Sequence, residues 1–236
     1  VLVSLLANTI FLAQKPRQAS PTVAELTKNI ALVHRTNKGD AEKLIGETAQ
    51  QLVAFLKAHE LSAATAKRLG LYFSAAPEDV AHFRGYMFKY HSGGTRGVVT
   101  IPVFQWRNAA GKRFVYRFNG EAAFVKIYRL ASPGRTLYLL LGGDNGDSRC
   151  YNDMAYVAEL KGDYLLLDNP AFGPKPALEL CNVDRQFDAN HQLLCLSLSE
   201  GMDYKENSLA QWGQSCKPAS KKVTLKFTGT RFVKAQ

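Results

Sequence analysis

Cysteine is absent from the first 149 residues of this 236-residue chain, and no Cys-x-x-Cys pair occurs anywhere in it. That lack excludes zinc knuckles and thioredoxin-type redox motifs, which need thiolates at close spacing. Histidine is scarce, and His34, His59, His82, His91 and His191 form no pair at helical or strand spacing that would mark a metal site. The chain has only two tryptophans, Trp106 and Trp212, and both read as core residues. Long apolar runs are missing as well. The longest uncharged apolar stretch, Val1 to Gln14, is too short to cross a bilayer as a helix. Acidic residues are absent from the last twenty positions, which carry six basic ones.

What is present is a globular composition. Apolar residues make up 46% and charged residues 21%, enough for a core and too apolar for wholesale disorder. The net charge of +10 is uneven: residues 1–70 carry +4, residues 71–120 carry +5, residues 121–216 carry −5 and the tail +6. Basic residues spread over three regions, without an interleaved aromatic signature, do not predict a nucleic-acid partner. The run from Val1 to Ala13 reads as the apolar region of a secretory signal, so residues 1–19 are expected to be signal-like and the protein exported, periplasmic or extracellular. No transmembrane span is expected in the mature protein. An even number of cysteines in an exported chain suggests disulfides. Leu178 and Leu180 on one side, and Leu193, Leu194 and Leu196 on the other, mark two strands around Asp188-Ala189-Asn190. A hairpin centred on Asp188 sets Cys181 opposite Cys195 and leaves Cys150 and Cys216 to pair or stay free.

Periodicity divides the chain. Ser20-Pro21 is a helix start, with Ser20 as N-cap, and Val23, Leu26, Ile30 and Val33 then share a face. Asn37-Lys38-Gly39-Asp40 breaks that helix. A second stripe runs through Ile45, Ala49, Leu52, Val53 and Leu56, and a third helix is expected from Ser62 to Leu69 with Gly70 at its end. Beyond about residue 95 the period becomes two, as in Phe114, Tyr116 and Phe118 or Val223, Leu225 and Phe227. Turn signals at Asn119-Gly120, Lys161-Gly162 and Thr228-Gly229 mark a weak repeat of strand, glycine turn and return strand. The predicted fold is α+β: a short helical region over residues 20–75, then an antiparallel all-β meander over residues 76–236, as a curled sheet, a sandwich or a partial propeller.

Three constellations carry possible chemistry. Gly146-Asp147-Ser148 after the apolar run Leu137 to Leu141, together with Asp188-Ala-Asn-His191, spells a serine-hydrolase pairing, but the short chain between them reads as hairpins. Asp144, Asn145 and Asp147 resemble part of a calcium loop that lacks its glycine and terminal glutamate. Arg84 and Tyr86 lie two apart and so share a strand face, beside a turn at Gly93-Gly94-Thr95 that favours positive φ, with Gln105 following. This Arg-Tyr pair is the candidate site for a carboxylate or a sugar.

The segment Phe83-Arg84-Gly85-Tyr86, then Gly93-Gly94-Thr95, then Gln105-Trp106 resembles a group of uncharacterised exported bacterial proteins. Their pattern runs Phe-Arg-x-Tyr-Ser-Trp-Asp, Gly-Gly-Thr, then Gln before an aromatic. Leu137 to Gly142, Cys150, Val157 to Gly162 and Leu225 to Phe232 resemble the later strands, so the likeness covers about residues 75–236. Phe88-Lys89 stands where the group has Trp-Asp. The resemblance implies an architecture and an envelope location and brings no activity. The expectation is an exported, non-catalytic binding or structural module of the bacterial envelope, without a cofactor, its partner an unidentified envelope ligand or protein. The alternative is an envelope hydrolase.

Overall fold

The apolar stripes of the first third form three helices, α1 (Val23–Arg35), α2 (Lys38–Ala58) and α3 (Ala63–Arg68). The computed structural model describes residues 20–36, 38–77, 79–93, 97–145, 151–181, 183–198 and 222–235. Helix α1 is capped by Thr22 instead of Ser20. The Thr22 hydroxyl accepts from the Glu25 amide at 3.2 Å, and the Glu25 carboxylate accepts from the Thr22 amide at 2.7 Å. This reciprocal capping box needs an acid three residues on, which Thr22 has and Ser20, followed at that spacing by Val23, does not. Helix α3 starts at Ser62 as expected, and Gly70 closes it at φ +76°.

The rest of the described chain is three antiparallel sheets in sequence order. The first has β1 (Tyr72–Ala75), β2 (Arg84–His91), β3 (Val98–Arg107) and β4 (Arg113–Arg117). The second has β5 (Ala123–Leu130), β6 (Thr136–Asn145), β7 (Tyr151–Lys161) and β8 (Tyr164–Leu166), with β9 (Ala177–Cys181) also paired to β7. The third has β10 (Val183–Asp188), β11 (Leu193–Leu198), β12 (Lys222–Phe227) and β13 (Phe232–Lys234). The fold is a short helical region followed by an antiparallel meander.

Side-chain alternation stacks these sheets face to face. One face of the first sheet, with Tyr86, Phe88, Val99, Ile101 and Val103, packs on the helices. Its other face, with Met87, Phe104 and Trp106, packs on Tyr138, Leu140 and Leu160 of the second sheet. Leu137, Leu139 and Leu141 point the opposite way, onto Leu194, Leu196, Val223 and Leu225 of the third. Two sheets are therefore covered on both faces, which is why β3 and β6 are buried along nearly their whole length. Among the described residues the third sheet has one covered face, and β12 alternates buried and exposed positions. Strand β1, at the end of the stretch expected to be helical, is the edge of the first sheet, and the helices share its core.

Two further sequence expectations are corrected. Lys161-Gly162 and Thr228-Gly229 turn hairpins, with φ +62° and +96° at their glycines, but Asn119-Gly120 does not. There the chain leaves the first sheet for the second, and β5 pairs with β6, not β4. The hairpin carrying Cys195 also has a different register. Val183 faces Leu198 and Gln186 faces Cys195. Asp188 opens the turn instead of centring it: its carboxylate accepts from the Asn190 and His191 amides at 3.0 and 3.1 Å, and the turn continues to Gln192 at φ +55°. Cys181 sits earlier, in β9 opposite Asn152. Cys195 is a free, half-buried thiol whose Sγ lies 3.5 Å from Thr224 Oγ1. The expected Cys181–Cys195 bond is absent, while Cys150 and Cys216 lie outside the described residues.

Candidate functional site

Arg84 and Tyr86 share one face of β2, and the antiparallel register sets Gln105 of β3 directly opposite Arg84. The three residues singled out from the sequence are thus brought together. Gly93 stands in the β2–β3 connection at φ +66°, as a glycine turn requires, and Gly94 and Thr95 lie outside the described residues. The face that Arg84, Tyr86 and Gln105 present receives the end of α2 and the 59–62 connection. A helix end leaves carbonyls without intrahelical donors. Gln105 Nε2 donates to the carbonyls of Leu56 and His59 at 2.5 and 2.7 Å. Tyr86 Oη and Arg84 Nη1 both donate to the Leu61 carbonyl at 3.1 Å.

Glu60 closes this clasp. Its Oε1 lies 2.6 Å from Arg84 Nη2 and 3.0 Å from His82 Nδ1, and its Oε2 accepts from Arg107 Nε at 2.9 Å and from Arg107 Nη2. Burial works to raise the Glu60 pKa, but hydrogen bonds from Arg107 and His82 and the charges of Arg84 and Arg107 outweigh it and hold the carboxyl below its ordinary value. The Arg-Tyr pair expected to meet an external ligand is therefore occupied by the chain's own helix end.

An open cleft lies next to the clasp. The irregular residues 76–77 and 79–83, the end of β3 and the β5–β6 hairpin surround this cleft of about 410 Å³. Its walls carry the apolar Pro77, Val80, Ala109 and Leu160 and the guanidinium groups of Arg107 and Arg129. Residues 79–83 are tied down at several points. Asp79 accepts from Tyr138 Oη at 2.6 Å and from the Phe83 amide at 2.8 Å, and the Arg107 amide donates to Ala81 O at 2.7 Å. Burial first, and then the Asp79 carboxylate, push the Tyr138 hydroxyl far up, so it remains a donor. His82 is held at φ +49°, a conformation non-glycine residues seldom adopt and one that clusters at functional sites. Val80 projects from the same segment, 92% exposed.

Arg129 stands over the ring of Tyr138, its cross-strand neighbour, at 5.1 Å. Its hydrogen bonds go to the carbonyls of Leu137 and Arg135 and to the Thr136 hydroxyl, and it forms no ion pair among the described residues. Arg129 was not among the residues singled out from the sequence. The available signal was an arginine inside the apolar alternation Phe124 to Leu130, but nothing local shows which surface it meets.

The other constellations resolve otherwise. Asp144 and Asn145 are ladder residues of β6, paired with Asn152 and Tyr151, so they belong to a strand and not to a calcium loop. Asp147 and Ser148 lie outside the described residues. His191 Nδ1 contacts Asp188 at 2.7 Å on the β10–β11 turn, and both side chains are exposed. That turn adjoins Ala131 at the start of the β5–β6 connection, the end of β6 opposite Asn145. Among the described residues no three His, Cys, Asp or Glu converge as a metal site, and no helix is long and apolar enough to cross a membrane. Comparison with protein families, curated proteins and solved structures finds no match to this chain.

Proposed function

We propose that the chain is an exported, non-catalytic binding module of the bacterial envelope and that the cleft beside Arg107 and Arg129 takes its ligand. The observation carrying this reading is Arg129, a guanidinium on the wall of a half-apolar cleft with no carboxylate paired to it among the described residues. A cleft of this size falls within the range of small-molecule sites, which combine apolar walls with a few placed polar groups. The bracing of residues 79–83 through Asp79, Ala81 and His82 favours a preformed site over one assembled on binding. Export is supported by the uncharged apolar run Val1 to Ala13. The hydrolase alternative draws on His191, whose ring is engaged with Asp188 on an exposed turn.

The test is ligand-observed ¹⁹F NMR with a fragment library on the full chain and on Ala109→Trp, which places an indole into the exposed cleft wall. Fragments that bind the native chain are expected to lose at least tenfold in affinity to the variant. Hits indifferent to Ala109→Trp would place binding elsewhere, and chemical turnover of a fragment would favour the hydrolase.

A further inference from the structure

Resting on the binding reading above, we infer that the cleft selects a small amphiphilic anion: a carboxylate or phosphate head on a short apolar tail. The state of Arg129 sets the head. Arg107 and Arg129 line the cleft, and the carboxylates beside it are Glu60, Asp79 and Asp163, the last accepting from Asn108 Nδ2 at 2.9 Å. Among the described residues none of these carboxylates forms an ion pair with Arg129. Glu60 is gripped by Arg84, Arg107 and His82. Asp79 accepts from Tyr138 Oη on one oxygen and from the Phe83 amide on the other, in the wall of the cleft. Arg107 engages Glu60 through Nε and Nη2, which leaves Nη1 with donors to spare. Arg129 makes only long hydrogen bonds, at 3.3 to 3.5 Å, to neutral oxygens. Guanidinium groups with donors in hand match the paired oxygens of carboxylate and phosphate.

The apolar walls set the tail. Pro77, Val80, Ala109 and Leu160 share the cleft with the two arginines, and Val80 is almost fully exposed. A bare inorganic anion would leave these surfaces in water, and a neutral apolar molecule would leave Arg129 uncompensated. An anion with a short hydrocarbon body satisfies both. A nucleic acid or other long polyanion fits less well, because its phosphates would have to track a cleft of only about 410 Å³.

The experiment is isothermal titration calorimetry of the full chain with n-octyl phosphate and n-octanoate, each below its micelle-forming concentration, against n-octyl glucoside and inorganic phosphate. The two amphiphilic anions are expected to bind at least tenfold more tightly than either control. Arg129→Gln is expected to weaken them at least tenfold, and Arg107→Gln is a second variant should the first fail to fold by its thermal melt. Arg117→Gln removes the same charge from an exposed position at the far end of β4 and should leave affinity unchanged. Competition with phosphatidylglycerol vesicles separates the two sources of such a head. Displacement of octyl phosphate points to a headgroup still in a bilayer, its absence to a free amphiphile, and both agree with the inference. Octyl glucoside binding as tightly as octyl phosphate, or equal losses in Arg117→Gln and Arg129→Gln, would overturn the anion selection while the cleft remained a binding site. Failure of all four probes, while Ala109→Trp still removes the fragment hits, also overturns it. Failure with no Ala109→Trp-sensitive hit overturns the binding reading itself.

Discussion

Of the carboxylates held by arginine inside this fold, Asp153 and Glu60 shift in opposite directions. Asp153 of β7 meets Arg185 of β10 at 2.6 Å, and both side chains are nearly buried, 8% and 12% exposed. Its other oxygen accepts from the Val183 amide at 2.7 Å. Burial nevertheless prevails and raises the Asp153 pKa above its ordinary value. Glu60, 14% exposed, faces Arg84, Arg107 and His82, and its pKa falls. One guanidinium and one amide do not offset desolvation at the deeper position; two guanidinium groups and an imidazole do at the shallower one. The two pairs differ in purpose as well. Arg185 also donates to the carbonyls of Gly142 and Met154, joining the second sheet to the third, whereas Glu60 joins a helix end to the first sheet.

The largest expected effect is at Asp153. Asp153→Ala should destabilise by about 3–5 kcal/mol, because Arg185 is left buried without its counter-charge. Adding Arg185→Leu should recover most of that loss in urea denaturation. If the double variant is no better than the single, the charge argument fails and packing alone explains the site. Glu60→Gln comes next, at about 2–3 kcal/mol near pH 7, less because both arginines are partly solvated. Here the pH dependence carries the contrast. A carboxyl whose folded pKa is lowered contributes fully above its unfolded value of 4.5 and loses that contribution as pH falls through the lowered folded value. The gap between native and Glu60→Gln should therefore narrow at pH 3. The raised pKa of Asp153 has the opposite sign, its ionisation costing stability as pH rises from below 3.8 through the folded value. The smallest effect is at Gln105. Gln105→Ala should cost about 1–2 kcal/mol by leaving the Leu56 and His59 carbonyls without their donor. Hydrogen exchange should quicken at the end of α2 and stay unchanged in the third sheet.

These regions also differ in how far the sequence reveals them. The helices were legible from their stripes: Leu26, Ile30, Val33, Ala49, Leu52 and Leu56 are buried, while Val23, expected on the same face, is exposed. The shared face of Arg84 and Tyr86 followed from the period of a strand. Their partner did not, because Glu60 lies 24 residues before Arg84 and no local pattern joins an acid after a helix to a strand beyond it. The cysteine register failed for a local reason. Asp188 reads as the middle of a turn by composition, but its side chain caps the two following amides and so begins one. Asn119-Gly120 carries the composition of a hairpin turn, yet only the tertiary fold shows that the flanking strands belong to different sheets. The cleft was invisible for the same reason, since residues 79–83, β3 and β5 meet there only through the stacking of the first two sheets.

That stacking has a consequence for how the molecule comes apart. Covered on both faces, the second sheet cannot be released without parting two apolar interfaces, and the first is confined in the same way between helices and sheet. The third sheet and the helices are the two outer layers, and each is released by parting one. Local opening should therefore begin there and move inward layer by layer, a graded order of escape set by position in the stack and independent of the strength of any single contact. The cleft lies between the first and second sheets, so it is enclosed by the layers that open last.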